Sequence, residues 1–276
     1  MVLPQTIHLT AHQVGGVVYY SFPHMDAYPF VRAGLSTRLG GVSEGVFSSM
    51  NLSYTRGDDP QKVDENFVRI CTAMGLSKND VVISAQEHHT NLQNVTKADC
   101  GKGVGQVGFT DVDGLLTDEI GVVLCTQYAD CVPLLFLDPK RRVVAASHAG
   151  WRGTVEQIGR LTVERMQKDY GCDPKDILAG IAPSIGRCCF EVDTPVFDAF
   201  SQMSVFDDGC FTAKGEDKFH IDLWEVNRRV LLSAGVCADN ITVTDLCTRC
   251  YPDVFWSHRK TGAARGSLAA FIGMVE

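Results

Sequence analysis

The chain has 276 residues, a formal net charge of −8, and 45% hydrophobic against 21% charged residues. That length buries a core without staples, and the composition is that of an ordinary folded protein. The acidic balance excludes the broad basic footprint of a nucleic-acid binder, although a few local arginines can still hold a small anion in a cleft. No run of 18 apolar residues suggests a membrane span, and the polar turn soon after Met1-Val2-Leu3-Pro4 does not read as a secretory leader. Eleven cysteines, an odd number at irregular spacing, argue for a reducing cytoplasm with thiols buried or bound to metal rather than a disulfide framework.

In chain order, the β-branched runs 17–22 and 31–37 predict two early strands, followed by a glycine-rich loop over 37–45. Asp59 as N-cap with Pro60 at the first helical position predicts a helix ending near Gly75. A short strand, 81–84, leads to Gln86-Glu87-His88-His89. The runs 122–126, 132–137 and 143–147 predict three central strands, two of them separated by Asp138-Pro139. Val155, Ile158, Leu161 and Met166 recur at helical spacing and predict one helix over roughly 152–169, stopped by Gly171. A strand over 177–181, a helix from a capping box at Asp222-Leu223-Trp224-Glu225 to Gly235, and strands over 241–244 and 268–272 complete the pattern. Strands outnumber helices without strict alternation. That predicts an α/β chain with mixed sheets flanked by helices, organised as one domain over 1–276.

Three islands carry metal-capable side chains at the ends of apolar runs: His88, Cys131 in Ala129-Asp130-Cys131-Val132-Pro133, and His148 in Ser147-His148-Ala149-Gly150-Trp151-Arg152-Gly153. Imidazole and thiolate suit zinc, and three protein ligands leave a fourth position for chemistry. The strand ending at His148 and the strand beginning after Cys131 are close enough in sequence to pair. Gly150 and Gly153 allow close approach of the backbone at the following helix start, whose amides, with Arg152, suit an anion. In an extended segment His88 and His89 would face opposite sides, so one of the two serves the site. A Cys131 thiolate with His148 as base is the alternative reading, but it leaves a third soft ligand over.

Other signals are weaker. Cys247-x-x-Cys250 has the spacing of half a zinc knuckle, yet a lone pair reads first as packing. The adjacent Cys188-Cys189 reads as core or site lining. The loop after Thr37 lacks the Gly-Lys-Ser/Thr of a phosphate loop, leaving Arg38 as its candidate anion contact.

Together the islands resemble the YfiH/PgeF family, first called multicopper polyphenol oxidases or laccases and now described as purine nucleoside phosphorylases. The resemblance spans nearly the whole chain. It rests on Ser36-Thr37-Arg38-x-Gly40-Gly41-Val42-Ser43, Asn51-Leu52-Ser53, Gly57-Asp58-Asp59, Gln86-x-His88, Asp113-Gly114, Ala129-Asp130-Cys131-x-Pro133, His148 to Thr154, and Phe255-Trp256-Ser257-His258-Arg259. Glu87 and His89 replace the usual Val and Gly. His258 and Lys260 vary the usual Ser-Tyr-Arg-Arg, and the stretch 97–110 looks longer than is common.

The resemblance implies a zinc ion on His88, Cys131 and His148, and it selects His88 over His89. It implies a layered YfiH-like catalytic domain similar to that of a bacterial deamidating toxin. The implied chemistry is phosphorolysis of adenosine, inosine and methylthioadenosine, with adenosine deamination as a second activity. Arg38 and Arg152 become candidate phosphate contacts, and Asp130 a carboxylate that orients a ligating histidine or carries a proton. The expected partners are purine nucleosides and phosphate, not nucleic acid or membrane. A copper-array laccase needs many histidines, whereas this chain has eight and no His-x-His pair; copper at the zinc site itself is compatible with its higher intrinsic affinity. A cysteine hydrolase or peptidoglycan-editing factor using Cys131 and His148 is the rival class.

Overall fold

A computed structural model of the chain describes residues 3–276. Two large mixed sheets stack face to face. The first has seven strands in the order Thr10–Val14, Val17–Ser21, Val31–Ser36, Leu268–Met274, Val123–Tyr128, Val81–Ala85 and Phe109–Thr110. The second has six, in the order Ile241–Val243, Leu178–Ile181, Val132–Asp138, Val143–Ala149, Gly114–Thr117 and Leu92–Asn94. A third, of three short strands, lies apart from both: Glu191–Asp193, Lys218–Ile221 and Phe211–Ala213.

The central strands are apolar on both sides because both faces are covered. Along Val132–Asp138, Leu135 and Leu137 join the core between the two sheets, while Val132, Leu134 and Phe136 turn to the outer core. Leu268–Met274 divides in the same way: Ala270 and Ile272 face the inner core, Ala269 and Phe271 the outer one. Pro60–Ala73 covers the outer face of the seven-stranded sheet through Val63, Phe67 and Ile70. Truncating the fully buried Phe67 to Ala would cost about 3–5 kcal/mol. Ile158–Tyr170 and Leu223–Ser233 cover the outer face of the six-stranded sheet. The result is helix on sheet on sheet on helix. No helix among the described residues is long and apolar enough to cross a membrane.

Asp59 caps its helix by accepting from Gln61 N at 2.9 Å, and Asp222 caps by accepting from Glu225 N at 3.1 Å. The helix expected over 152–169 is two helices, Trp151–Val155 and Ile158–Tyr170. Gln157 breaks it by taking a left-handed conformation (φ 61°), which an α-helix cannot propagate. The glycine-rich loop is a packing device. A Cβ on Gly40 would lie 2.3 Å from Gly16 O, and one on Gly41 2.2 Å from Ser49 O.

Candidate metal centre

Two of the three predicted ligands lie where the chain crosses from one large sheet to the other. His88 sits between Val81–Ala85 and Leu92–Asn94, and Cys131 between Val123–Tyr128 and Val132–Asp138. His148 lies near the end of Val143–Ala149, which pairs antiparallel with Val132–Asp138 in a register that sets His148 opposite Pro133 and Ala149 opposite Val132. The pairing brings His148 beside Cys131. One ligating atom from each of His88, Cys131 and His148 falls within 4.8 Å of the others. Cys131 Sγ is 3.9 Å from His88 Nε2, and the two imidazoles meet edge to face at 4.8 Å between centroids.

His88 and His89 are separated by a turn rather than by strand alternation. His88 has φ 66°, and its ring faces Cys131, whereas His89 Nδ1 lies 2.6 Å from Asp111 Oδ1. A left-handed non-glycine residue is held there at a cost of roughly 1–3 kcal/mol. The holding group is Asp113, which is fully buried. Its carboxylate accepts from Glu87 N at 3.1 Å, His88 N at 3.1 Å and His89 N at 3.0 Å. It also accepts from His148 Nδ1 at 2.8 Å, and its carbonyl accepts from His148 N at 2.7 Å. An ionised carboxylate only accepts, so His148 carries its proton on Nδ1 and turns Nε2 toward Cys131.

Burial alone would push the Asp113 carboxyl up, but the hydrogen bond and charge of His148 and the amides of residues 87 and 89 outweigh it and hold the group low. Burial likewise opposes ionisation of Cys131 and His148. Their mutual attraction prevails, bringing the Cys131 thiol down to about 6 and, with help from Asp113, raising His148 to about 9. Without metal the pair is therefore thiolate and imidazolium. Gly150 floors the site: a Cβ there would sit 2.9 Å from His88 Cδ2 and 3.3 Å from Cys131 Sγ. The donor set of two imidazoles and one thiolate, brought together from three segments, fits a tetrahedral zinc ion with one open position.

All three side chains open into a cavity of about 1010 Å³. Its arginines are Arg56, Arg259 and Arg265; Arg38 and Arg152 do not line it. The Arg38 guanidinium lies 3.7 Å over the Trp256 ring and donates to Ser48 O and Pro252 O, while Arg152 is exposed over Trp151. Arg265 is buried, and desolvation, with Arg56 nearby, lowers its guanidinium to about 10. Asp130 also lines the cavity, but its carboxylate accepts from Thr248 Oγ1 and from Arg259 N, both at 2.6 Å. The carboxylate that holds a histidine of the cluster is Asp113, through His148 Nδ1. Its sequence signal was an Asp-Gly pair opening a short strand, 25 residues beyond His88.

The family described as multi-copper polyphenol oxidoreductase laccase matches residues 32–275. The chain belongs to that family. Among relatives in this laccase-like family, purine nucleoside phosphorylase YlmD of Bacillus subtilis is 38% identical over 89% of each chain. A purine nucleoside phosphorylase of Bacteroides thetaiotaomicron is 37% identical, covering 91% of this chain and 94% of that one. Adenosine deaminase RL5, from an unknown prokaryotic organism, is 34% identical over 84% of this chain and 89% of its own. The crystal structure of YlmD from Geobacillus stearothermophilus superposes with a TM-score of 0.90 at 35% identity, covering 98% of this chain and 99% of that one. That of YfiH from Bacillus licheniformis gives 0.89 at 33%, covering 95% and 97%. The family description names copper chemistry, whereas the relatives are named for purine nucleosides.

Of the other histidines, His89 stands with Glu87 and Asp111 in a further group that could hold a metal, and four more have partners of their own. His12 contacts Ser21 and stacks on Tyr19, His24 contacts Thr242, His220 contacts Arg187 O, and His258 contacts Gly262 O. Among the described residues, none of these forms a second histidine cluster.

Proposed function

We propose that this chain is a zinc-dependent purine nucleoside phosphorylase acting on adenosine, inosine and methylthioadenosine, with adenosine deamination as a side activity. The observation that carries the reading is the convergence of His88, Cys131 and His148 at a cavity that also holds Arg56 and Arg265. The names of the relatives support the same chemistry.

Zinc bound there would supply Lewis acidity toward an oxygen of phosphate or water. The chain's own residues do the rest. Asp113 fixes the tautomer and direction of His148. Arg56 and Arg265, rather than Arg38 or Arg152, present positive charge to phosphate. Phe109 and Phe190 line the cavity and give it apolar wall against which a purine can pack. Asp130 anchors the turn that carries Arg259 through its backbone amide. The segment 103–110 forms part of the wall, so the extended stretch over 97–110 and the altered His258 bear on which nucleoside enters. Eleven unpaired thiols suit a reducing cytoplasm.

The decisive assay supplies adenosine with and without phosphate to protein of measured metal content. Adenine released only with phosphate supports phosphorolysis, and inosine formed without it supports deamination. Absence of both products in zinc-replete protein rejects the proposal.

A second reading has its own observation. Cys131, His148 and Asp113 form a thiolate, imidazolium and carboxylate relay of the kind used by cysteine hydrolases. A thiol hydrolase would survive chelation and succumb to alkylation, whereas the metal reading predicts loss of activity on chelation.

A further inference from the structure

We infer that Cys188, Cys189, Cys247 and Cys250 form a second metal site, made only of thiolates, that binds a structural zinc ion. Their four Sγ atoms lie within 4.8 Å of one another. Cys250 Sγ is 3.5 Å from both Cys188 Sγ and Cys189 Sγ. A regular tetrahedron with zinc–sulfur bonds of about 2.3 Å has sulfur–sulfur edges of about 3.8 Å. The equal approach of one sulfur to two others is that of a shared ion, since a disulfide would single out one partner.

Packing does not account for the cluster. Cys188 and Cys250 are exposed, so an ion can reach them, while Cys189 and Cys247 are buried. Two N–H groups already point at the sulfurs: Gly186 N donates to Cys247 Sγ at 3.3 Å, and Arg249 Nη1 donates to Cys189 Sγ at 3.3 Å. Such donors offset the excess negative charge of four sulfurs around a divalent ion. Binding displaces the protons of any neutral thiols and changes no oxidation state.

The cluster joins residues 184–190, which wall the cavity, to residues 247–251, which lie behind it. Thr248 N donates to Ser184 O at 2.9 Å, and Ile185 N donates to Asp130 O at 2.9 Å. Ile185 and Phe190 line the cavity on either side of the cysteine pair, and the Thr248 hydroxyl reaches Asp130. An ion here would staple residues 184–190 to residues 247–251 and hold that wall in place. It would contribute to chemistry only by position.

The test uses the full chain carrying Cys131→Ser, which disables the His88 centre and leaves the tetrad intact. This variant should take up one equivalent of cobalt with the intense sulfur-to-metal absorption and tetrahedral bands of a four-thiolate site. Zinc should displace the cobalt and shield Cys188 and Cys250 from alkylation, as mapped by peptide mass. Adding Cys188→Ser and Cys250→Ser should remove the cobalt bands. No cobalt uptake by the reduced Cys131→Ser protein, or alkylation of Cys188 and Cys250 at the same rate with and without zinc, would overturn the assignment. Neither readout depends on activity or on the folding of the triple variant.

Discussion

Replacing Asp113 by Asn keeps the shape of the side chain and removes its charge. The carboxylate accepts from three backbone amides and from His148 Nδ1. Asn has a single acceptor oxygen. In either orientation its amide nitrogen faces two N–H donors: those of Glu87 and His89, or those of His88 and His148. Each lost bond to a buried charge is worth about 1.5–3 kcal/mol, so the metal-free protein should lose about 3–6 kcal/mol, less any relaxation. His148 also loses part of what raises it, and the turn at His88 loses its anchor. Zinc affinity should fall about 10- to 100-fold, the usual effect of removing a partner of a ligating histidine. Urea unfolding of the metal-free protein and competition against a chelator measure the two effects. Because folding lowers the Asp113 pKa, its contribution is present above the usual carboxylate range and is lost as pH falls through the folded value, so the variant and parent should converge in acid. A variant within about 1 kcal/mol of the parent, with zinc affinity unchanged, would refute Asp113 as organiser of the site. Asp130→Asn, which leaves either Thr248 or the Arg259 amide without its acceptor, should leave zinc affinity nearly intact.

Gly150→Ala should weaken zinc binding and cost about 1–3 kcal/mol, because its methyl would press on His88 and Cys131; parallel thermal melts and zinc titrations test this. In metal-free protein, alkylation of Cys131 should keep its rate down to about pH 6, and a midpoint near that of an ordinary thiol would contradict the ion pair. The pair's own effect on stability should be flat between its unfolded values. Cys131, lowered to about 6, gives stability that is lost as pH falls through 6; His148, raised to about 9, gives stability that is lost as pH rises through 9. Between roughly 6.5 and 9 folded and unfolded states bind equal numbers of protons at this pair, so denaturation curves of wild type and a Cys131→Ala, His148→Ala double variant should keep a constant separation with pH. Zinc binding at neutral pH should release one proton, from His148, seen as a buffer-dependent calorimetric heat. Arg56→Ala should raise the phosphate KM about tenfold, while Arg38→Ala, whose side chain stacks on Trp256 outside the cavity, should leave that KM unchanged and lower the melting temperature.

The central strands were readable because both faces of the two large sheets are covered, which turns 132–137 and 143–146 into continuous apolar runs. The short edge strands were not. Leu92–Asn94 and the three strands of the smallest sheet have three or four residues each, too few to show a period, and they are shaped by their partners. Gln157 carries no breaker signal, so the interruption of the predicted helix was invisible. The meeting of His88, Cys131 and His148 was foreseeable because each stands at the end of a strong strand signal. For Asp113 only the Asp-Gly pair at a strand start was visible; that its carboxylate gathers distant amides was not. Arg38 was misleading for a related reason: a cation beside glycines suggests an anion, yet Trp256, more than 200 residues away in sequence, takes its guanidinium face. The four cysteines were split between two apparently idle pairs, 188–189 and 247–250, until folding joined them.

Because His88 and Cys131 ride on the bridges from one large sheet to the other, any cation they share acts as a rivet through the rim of the sandwich. Its departure requires that rim to gape. Exchange of the ion should therefore keep pace with breathing of the two sheets against each other, and a nucleoside wedged in the same opening should lock the ion in.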